Sequence, residues 1–123
     1  MTTTLPSPIP ETNQPLAALN GPIVAAYFPE WGIYGRDFQI ADVPADRLTH
    51  LIYAFARIDA TGRMALFDSY AAVEKRFSSP QEAVGGIADQ YYYGEGDPRN
   101  TQTIWGNFHQ IALLKELHPH LRT

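Results

Sequence analysis

The chain has 123 residues, a formal net charge of -4 and a sequence pI of about 5.4, with hydrophobic content of 45% and charged content of 18%. That balance fits one small folded domain or part of a larger one, and argues against a nucleic-acid binder, which needs basic residues to neutralise phosphates. Cysteine is absent, which excludes disulfides and thiolate metal sites.

No basic run marks a membrane-surface helix, and no apolar stretch reaches membrane-spanning length. Met1 to Thr4 carry no basic segment and lead into no apolar one, so no Sec-type signal peptide is visible. Residues 1–21 hold Pro6, Pro8, Pro10 and Pro15 among Thr, Ser, Asn and Gln, the composition of a flexible or extended leader.

Ile23 to Phe28 is the first predicted strand and Leu48 to Ile58 the second. Both are apolar on two faces, the signature of parallel strands covered on both sides. About twenty residues separate them, enough for a parallel crossover. Within that crossover Asp42-Val43-Pro44-Ala45-Asp46 predicts a short helical turn, with Asp42 as cap and Pro44 in the first turn.

Asp59-Ala60-Thr61-Gly62 is a turn signal. Ser69 to Phe77 reads as a short helix inside an otherwise irregular excursion that runs to Thr103, a length that is often functional. Asn107 to Leu117 is the clearest helix. Asn107 is its expected cap, Phe108, Ile111 and Leu114 form one apolar side, Leu113 and Leu117 widen it, and Pro119 ends it. Two parallel strands and one helix cannot bury each other, so the expectation is the opening of a larger α/β unit that is cut short.

Five aromatic residues, Tyr27, Phe28, Trp31, Tyr34 and Phe38, fall within the twelve positions that close the first strand and follow it. Aromatics on a loop are costly to expose unless something flat covers them, and sugar rings are flat with apolar faces. A carbohydrate platform and ordinary packing both fit this pattern.

The stretch Tyr27-Phe28-Pro29-Glu30-Trp31-Gly32-Ile33-Tyr34-Gly35-Arg36-Asp37-Phe38 resembles the end of the first barrel strand in glycoside hydrolase family 18 chitinases. Leu48-Thr49-His50-Leu51-Ile52-Tyr53-Ala54-Phe55 is similar to the family's second strand. Gly106-Asn107-Phe108, Leu113-Leu114-Lys115 and His118-Pro119-His120-Leu121 resemble the helix before its third strand. The three motifs occur in family order and cover about residues 22–123.

The resemblance implies an α/β fold, the N-terminal portion of a (β/α)₈ TIM barrel ending after two strands and the helix before strand three. Residues 1–21 would be the leader and 22–123 an incomplete catalytic domain. It implies a parent enzyme that cleaves β-1,4-linked N-acetylglucosamine polymers with retention, using the substrate's acetamido oxygen as nucleophile and one protein Glu as acid. Chitin or chito-oligosaccharides are the implied ligands, with no cofactor, nucleic acid or membrane, and an extracellular location. The family's Asp-x-x-Asp-x-Asp-x-Glu motif, which supplies the acid, has no counterpart in this chain. The chain alone is therefore expected to be inactive. A non-hydrolytic, chitinase-like carbohydrate-binding protein is the alternative.

By the same resemblance Trp31 would stack on a sugar, Tyr34 and Arg36 would line the outer groove, and Tyr27 and Phe55 would stand at the two strand ends near the cleaved sugar. Core packing is the competing role for Trp31, Tyr27 and Phe55, and a solvated loop for Tyr34 and Arg36. Glu30 lacks a partner carboxylate and reads as structural or peripheral. His50 reads as a core histidine, and His118 with His120 makes a poor zinc site for want of a third ligand. Gly94-Glu95-Gly96 lacks the third glycine of a dinucleotide loop, since Arg99 stands there.

Overall fold

In a computed structural model, which describes residues 21–123, strand β1 (Ala25–Pro29) pairs in parallel with strand β2 (His50–Ala54). The leader expected over residues 1–21 lies outside the described residues apart from Gly21. Partners in the ladder run from Ala25 opposite His50 to Pro29 opposite Ala54. Both strands start two residues later than the sequence predicts. Thr49 occupies the join instead: its N–H donates to the Val24 carbonyl at 2.8 Å, and its Oγ1 accepts from Val24 N at 2.9 Å.

Three 3₁₀ turns, Glu30–Ile33, Ile40–Asp42 and Ala45–Arg47, make the crossover. The single turn expected over 42–46 is split between the last two. Val43 is extended, as a residue before proline prefers, and this separates them. Asp42 still caps, but it caps the turn it ends: its Oδ2 accepts from Gln39 N at 2.8 Å.

β2 is shorter than predicted. The Ala54–Phe55 peptide is cis, and the chain then enters a small antiparallel hairpin, β3 (Arg57–Ile58) with β4 (Met64–Ala65). The predicted turn between them is present. Asp59 Oδ1 accepts from Thr61 N at 2.9 Å and Arg63 N at 3.0 Å, and Gly62 takes φ 85°. Thr61 and Arg63 hold the Asp59 carboxyl below its ordinary pKa.

Only Tyr70–Glu74 of the predicted helix at 69–77 is helical, as one wide π-type turn. Helix α1 (Gly106–Leu117) docks on that turn: Trp105 N donates to Val73 O and Gly106 N to Lys75 O, both at 2.8 Å. Gly106 sits at φ +68°, and a Cβ there would stand 2.6 Å from the Ala72 carbonyl carbon and oxygen. Glycine meets both demands, the left-handed backbone and the close approach.

The expected inward face of α1 needs correction. Trp105 is the N-cap, without a side-chain cap bond. Asn107 and Gln110 are fully buried beside Leu114, while Phe108 and Leu117 are exposed. Gln110 Oε1 accepts from Val84 N at 2.7 Å, and its Nε2 donates to Asp89 Oδ1 at 3.3 Å. The irregular excursion thus supplies the polar partners that make Gln110 a better core residue than its polarity implies.

The core joins Phe28 of β1 and Leu51 of β2 to Ile33, Ile40, Phe77, Val84, Leu114 and Leu121. It lies on one face of the strand pair. On the other face Tyr27 and its ladder partner Ile52 are exposed, so the two-sided burial expected of both strands is met on one side. Beside β2, Arg122 bridges His50 in parallel, with Arg122 N donating to Thr49 O and Leu51 N to Arg122 O. His120 Nε2 donates to the carbonyls of Ala45 and Leu48, 3.0 Å from each.

Candidate functional site

The carboxyl ends of β1 and β2 lie side by side, because parallel pairing places Pro29 opposite Ala54. Two aromatic residues follow at once. Trp31 stands in the 3₁₀ turn after β1, and Phe55 is the residue after β2. Their ring centroids are 5.9 Å apart. With Tyr27, Pro29 and Ala54 they line an apolar depression of about 270 Å³. Exposure is 69% for Tyr27, 49% for Trp31 and 57% for Phe55, so the three rings face outward and are not core filler among the described residues. Rings held half-open by a neighbouring ring form a surface that flat apolar ligands cover well.

Tyr34 and Arg36 are exposed on the following loop and do not line this depression. The Tyr34 hydroxyl donates to Asp68 Oδ2 at 2.5 Å. That bond pushes the Tyr34 pKa up to about 12. Arg36 makes no ion pair among the described residues.

Glu30, the residue before Trp31, anchors a polar chain. Glu30 is 2% exposed. Its Oε2 accepts from the Tyr53 hydroxyl at 2.8 Å, and its Oε1 accepts from Asp68 N at 3.1 Å. Tyr53 Oη in turn accepts from Asn107 Nδ2 at 3.1 Å. Burial raises the Glu30 pKa, against the lowering effect of the bonds from Tyr53 and Asp68. Burial also pushes the Tyr53 hydroxyl up, so it remains a proton donor. Glu30 therefore ties the loop after β1 to β2, to the excursion and, through Tyr53, to α1.

Asp68, Tyr53 and Asn107 escaped the sequence reading. Asp68 had one local signal, since it precedes the predicted helix at 69–77 and its Oδ1 does accept from Ala71 N, at 3.2 Å. Asn107 reads locally as a cap, because its partner lies 54 residues away. At the Gly94–Gly96 loop, Arg99 forms an exposed ion pair with Asp97 at 2.9 Å. Among the described residues no three His, Asp or Glu side chains gather where a metal ion could sit, and no helix is long and apolar enough to cross a membrane.

No protein-family model matches the chain. Individual proteins do. The chain is 41% identical over 85 residues to Chitinase 1 of Aphanocladium album, covering 65% of this chain and 20% of that protein. It is 30% identical over 103 residues to Endochitinase 1 of Metarhizium robertsii, covering 84% of this chain and 21% of that protein. Among solved structures, the catalytic domain of psychrophilic chitinase B from Arthrobacter TAD20 superposes with a TM-score of 0.69 at 27% identity, covering 84% of this chain and 26% of that one. Strand pair, helix and crossover are thus those of a segment of a chitinase catalytic domain. The chain belongs to the glycoside hydrolase family 18 chitinases, and spans about a fifth of the length of the curated relatives it matches.

Proposed function

We propose that residues 22–123 form the first part of a (β/α)₈ barrel in a retaining, substrate-assisted chitinase, and that Tyr27, Trp31, Tyr34, Arg36 and Phe55 line its sugar groove. One observation carries this reading. Three exposed aromatic rings surround an apolar depression at the carboxyl ends of adjacent parallel strands. In barrels of this class those ends carry the active site.

Trp31 and Phe55 form a floor on which the apolar face of a pyranose rests. Tyr34 and Arg36, further along the same loop, meet the polar rim of the sugar. The face bearing Tyr27 and Ile52 becomes the barrel interior, which the remaining strands fill. The acid carboxyl comes from a part of the parent protein that this chain does not include, so this segment binds and orients, and the proton is delivered from elsewhere. Chitin lies outside cells, and the proposed location of the parent is extracellular.

The test uses the complete gene product, titrated with chito-oligosaccharides and assayed on crystalline chitin and on a chromogenic chitobioside. Trp31→Ala is expected to weaken oligosaccharide binding by about 1.5 to 3 kcal/mol, the range for burying a large apolar side chain. Its melting temperature should be unchanged. Activity on crystalline chitin should fall more than activity on the short substrate, because remote contacts help hold a long chain for attack. Binding without turnover would favour the non-hydrolytic lectin reading. Equal loss on both substrates with a lowered melting temperature would return Trp31 to the core.

A further inference from the structure

We propose that Asp68 is a positioning residue for the groove: it commits the Tyr34 proton inward, so that Tyr34 offers a bound sugar only an acceptor, and thereby selects a hydroxyl or acetamido N–H on the saccharide facing it. This rests on the groove reading above, and adds a residue to it together with the polarity of one contact.

Tyr34 is 47% exposed, so the residue is open to a ligand. Its single proton is engaged. The Oη–Oδ2 separation of 2.5 Å lies at the short end for a phenol donating to a carboxylate. An ionised carboxylate only accepts, so the direction of that bond is set by chemistry. What Oη has left is lone-pair density, and donation to an anion makes that oxygen a better acceptor. With its pKa pushed up to about 12, the phenol keeps the proton throughout the neutral range.

Asp68 is not free to turn away. Its Oδ1 accepts from Ala71 N at 3.2 Å, and its own N–H donates to Glu30 Oε1 at 3.1 Å. Glu30 is held from the other side by the Tyr53 hydroxyl of β2 at 2.8 Å. The loop after β1 is therefore pinned to Asp68 at two points, Glu30 at its start and Tyr34 further along. Side chains locked by packing and by a second set of bonds hold a binding geometry better than a free loop does.

The experiment is a mutant cycle in the complete gene product, read by calorimetric titration with chitotetraose and chitohexaose, with melting temperature recorded for each variant. Tyr34→Phe should weaken binding about three- to tenfold, the size of one hydrogen bond. Asp68→Ala should weaken it by a similar factor. In the Tyr34→Phe background Asp68→Ala should add nothing, because Asp68 acts through a hydroxyl that is already gone. Asp68→Asn keeps an oxygen for Ala71 N and supplies an amide that donates toward Tyr34. It serves as the well-folded check, and it too should lose affinity only when the Tyr34 hydroxyl is present. Additive losses would make Asp68 a structural residue and overturn the proposal. Wild-type affinity in Tyr34→Phe, with Trp31→Ala still impaired, would overturn it while leaving the groove intact. Wild-type affinity in both Trp31→Ala and Tyr34→Phe would remove the groove reading and this proposal with it.

Discussion

The Tyr53 hydroxyl donates to Oε2 of Glu30 at 2.8 Å and so bonds the carboxyl end of β2 to the turn that follows β1. The carboxylate at the centre of this contact is buried, and burial raises its pKa above the ordinary 4.5. A carboxyl whose folded pKa is raised binds its proton more tightly folded than unfolded. Its contribution to stability is full below the unfolded pKa and is lost as pH rises through the folded value. Glu30→Gln removes that titration. In the complete gene product, the stability of the wild type relative to Glu30→Gln should therefore fall as pH rises from about 4.5 toward neutrality. Melting temperature against pH for both proteins reads the difference. A flat or rising difference would show that Glu30 is not the protonation-sensitive member of this network.

Gly106 carries a backbone demand and a packing demand at one position. Gly106→Ala should destabilise the complete gene product by more than the roughly 1 to 2 kcal/mol of left-handed backbone alone, since its Cβ would also strike the turn at Ala72. Urea unfolding would measure this. A loss well under 1 kcal/mol would mean that α1 shifts off the turn without cost.

Gln110 is the one side chain that accepts from Val84 N–H. Gln110→Leu preserves bulk but strands that donor in the core. The expected cost is about 1 to 3 kcal/mol. Faster amide exchange at Val84, beyond any global change, would identify the lost bond as the cause.

Residues 1–123 expressed alone should lack a sharp cooperative melt, because Tyr27 and Ile52 leave one face of the strand pair in water. The same sample should not hydrolyse a chromogenic chitobioside, since it holds no Asp-x-x-Asp-x-Asp-x-Glu sequence. Dispersed amide signals in an NMR spectrum would refute the first expectation. Turnover abolished by Glu30→Gln would refute the second and make Glu30 an acid.

The sequence by itself determined what depends on neighbours along the chain. Unbroken apolar runs marked both strands and their parallel sense. Asp59-Ala60-Thr61-Gly62 declared its turn through bonds reaching only a few residues. The Tyr27–Phe38 stretch placed the aromatic loop at a strand end, and the three motifs together, in family order, carried the family resemblance. Only the tertiary structure decided what depends on residues far apart in sequence. Asn107 has the look of a cap, and nothing local marks Gln110 as a core residue, until Tyr53 and Val84 are brought beside them. Asp68 gains its role by meeting Tyr34 and Glu30, 34 and 38 residues away. A buried polar side chain is stabilised by the partners it finds, and no periodicity in the sequence records where a distant partner will stand.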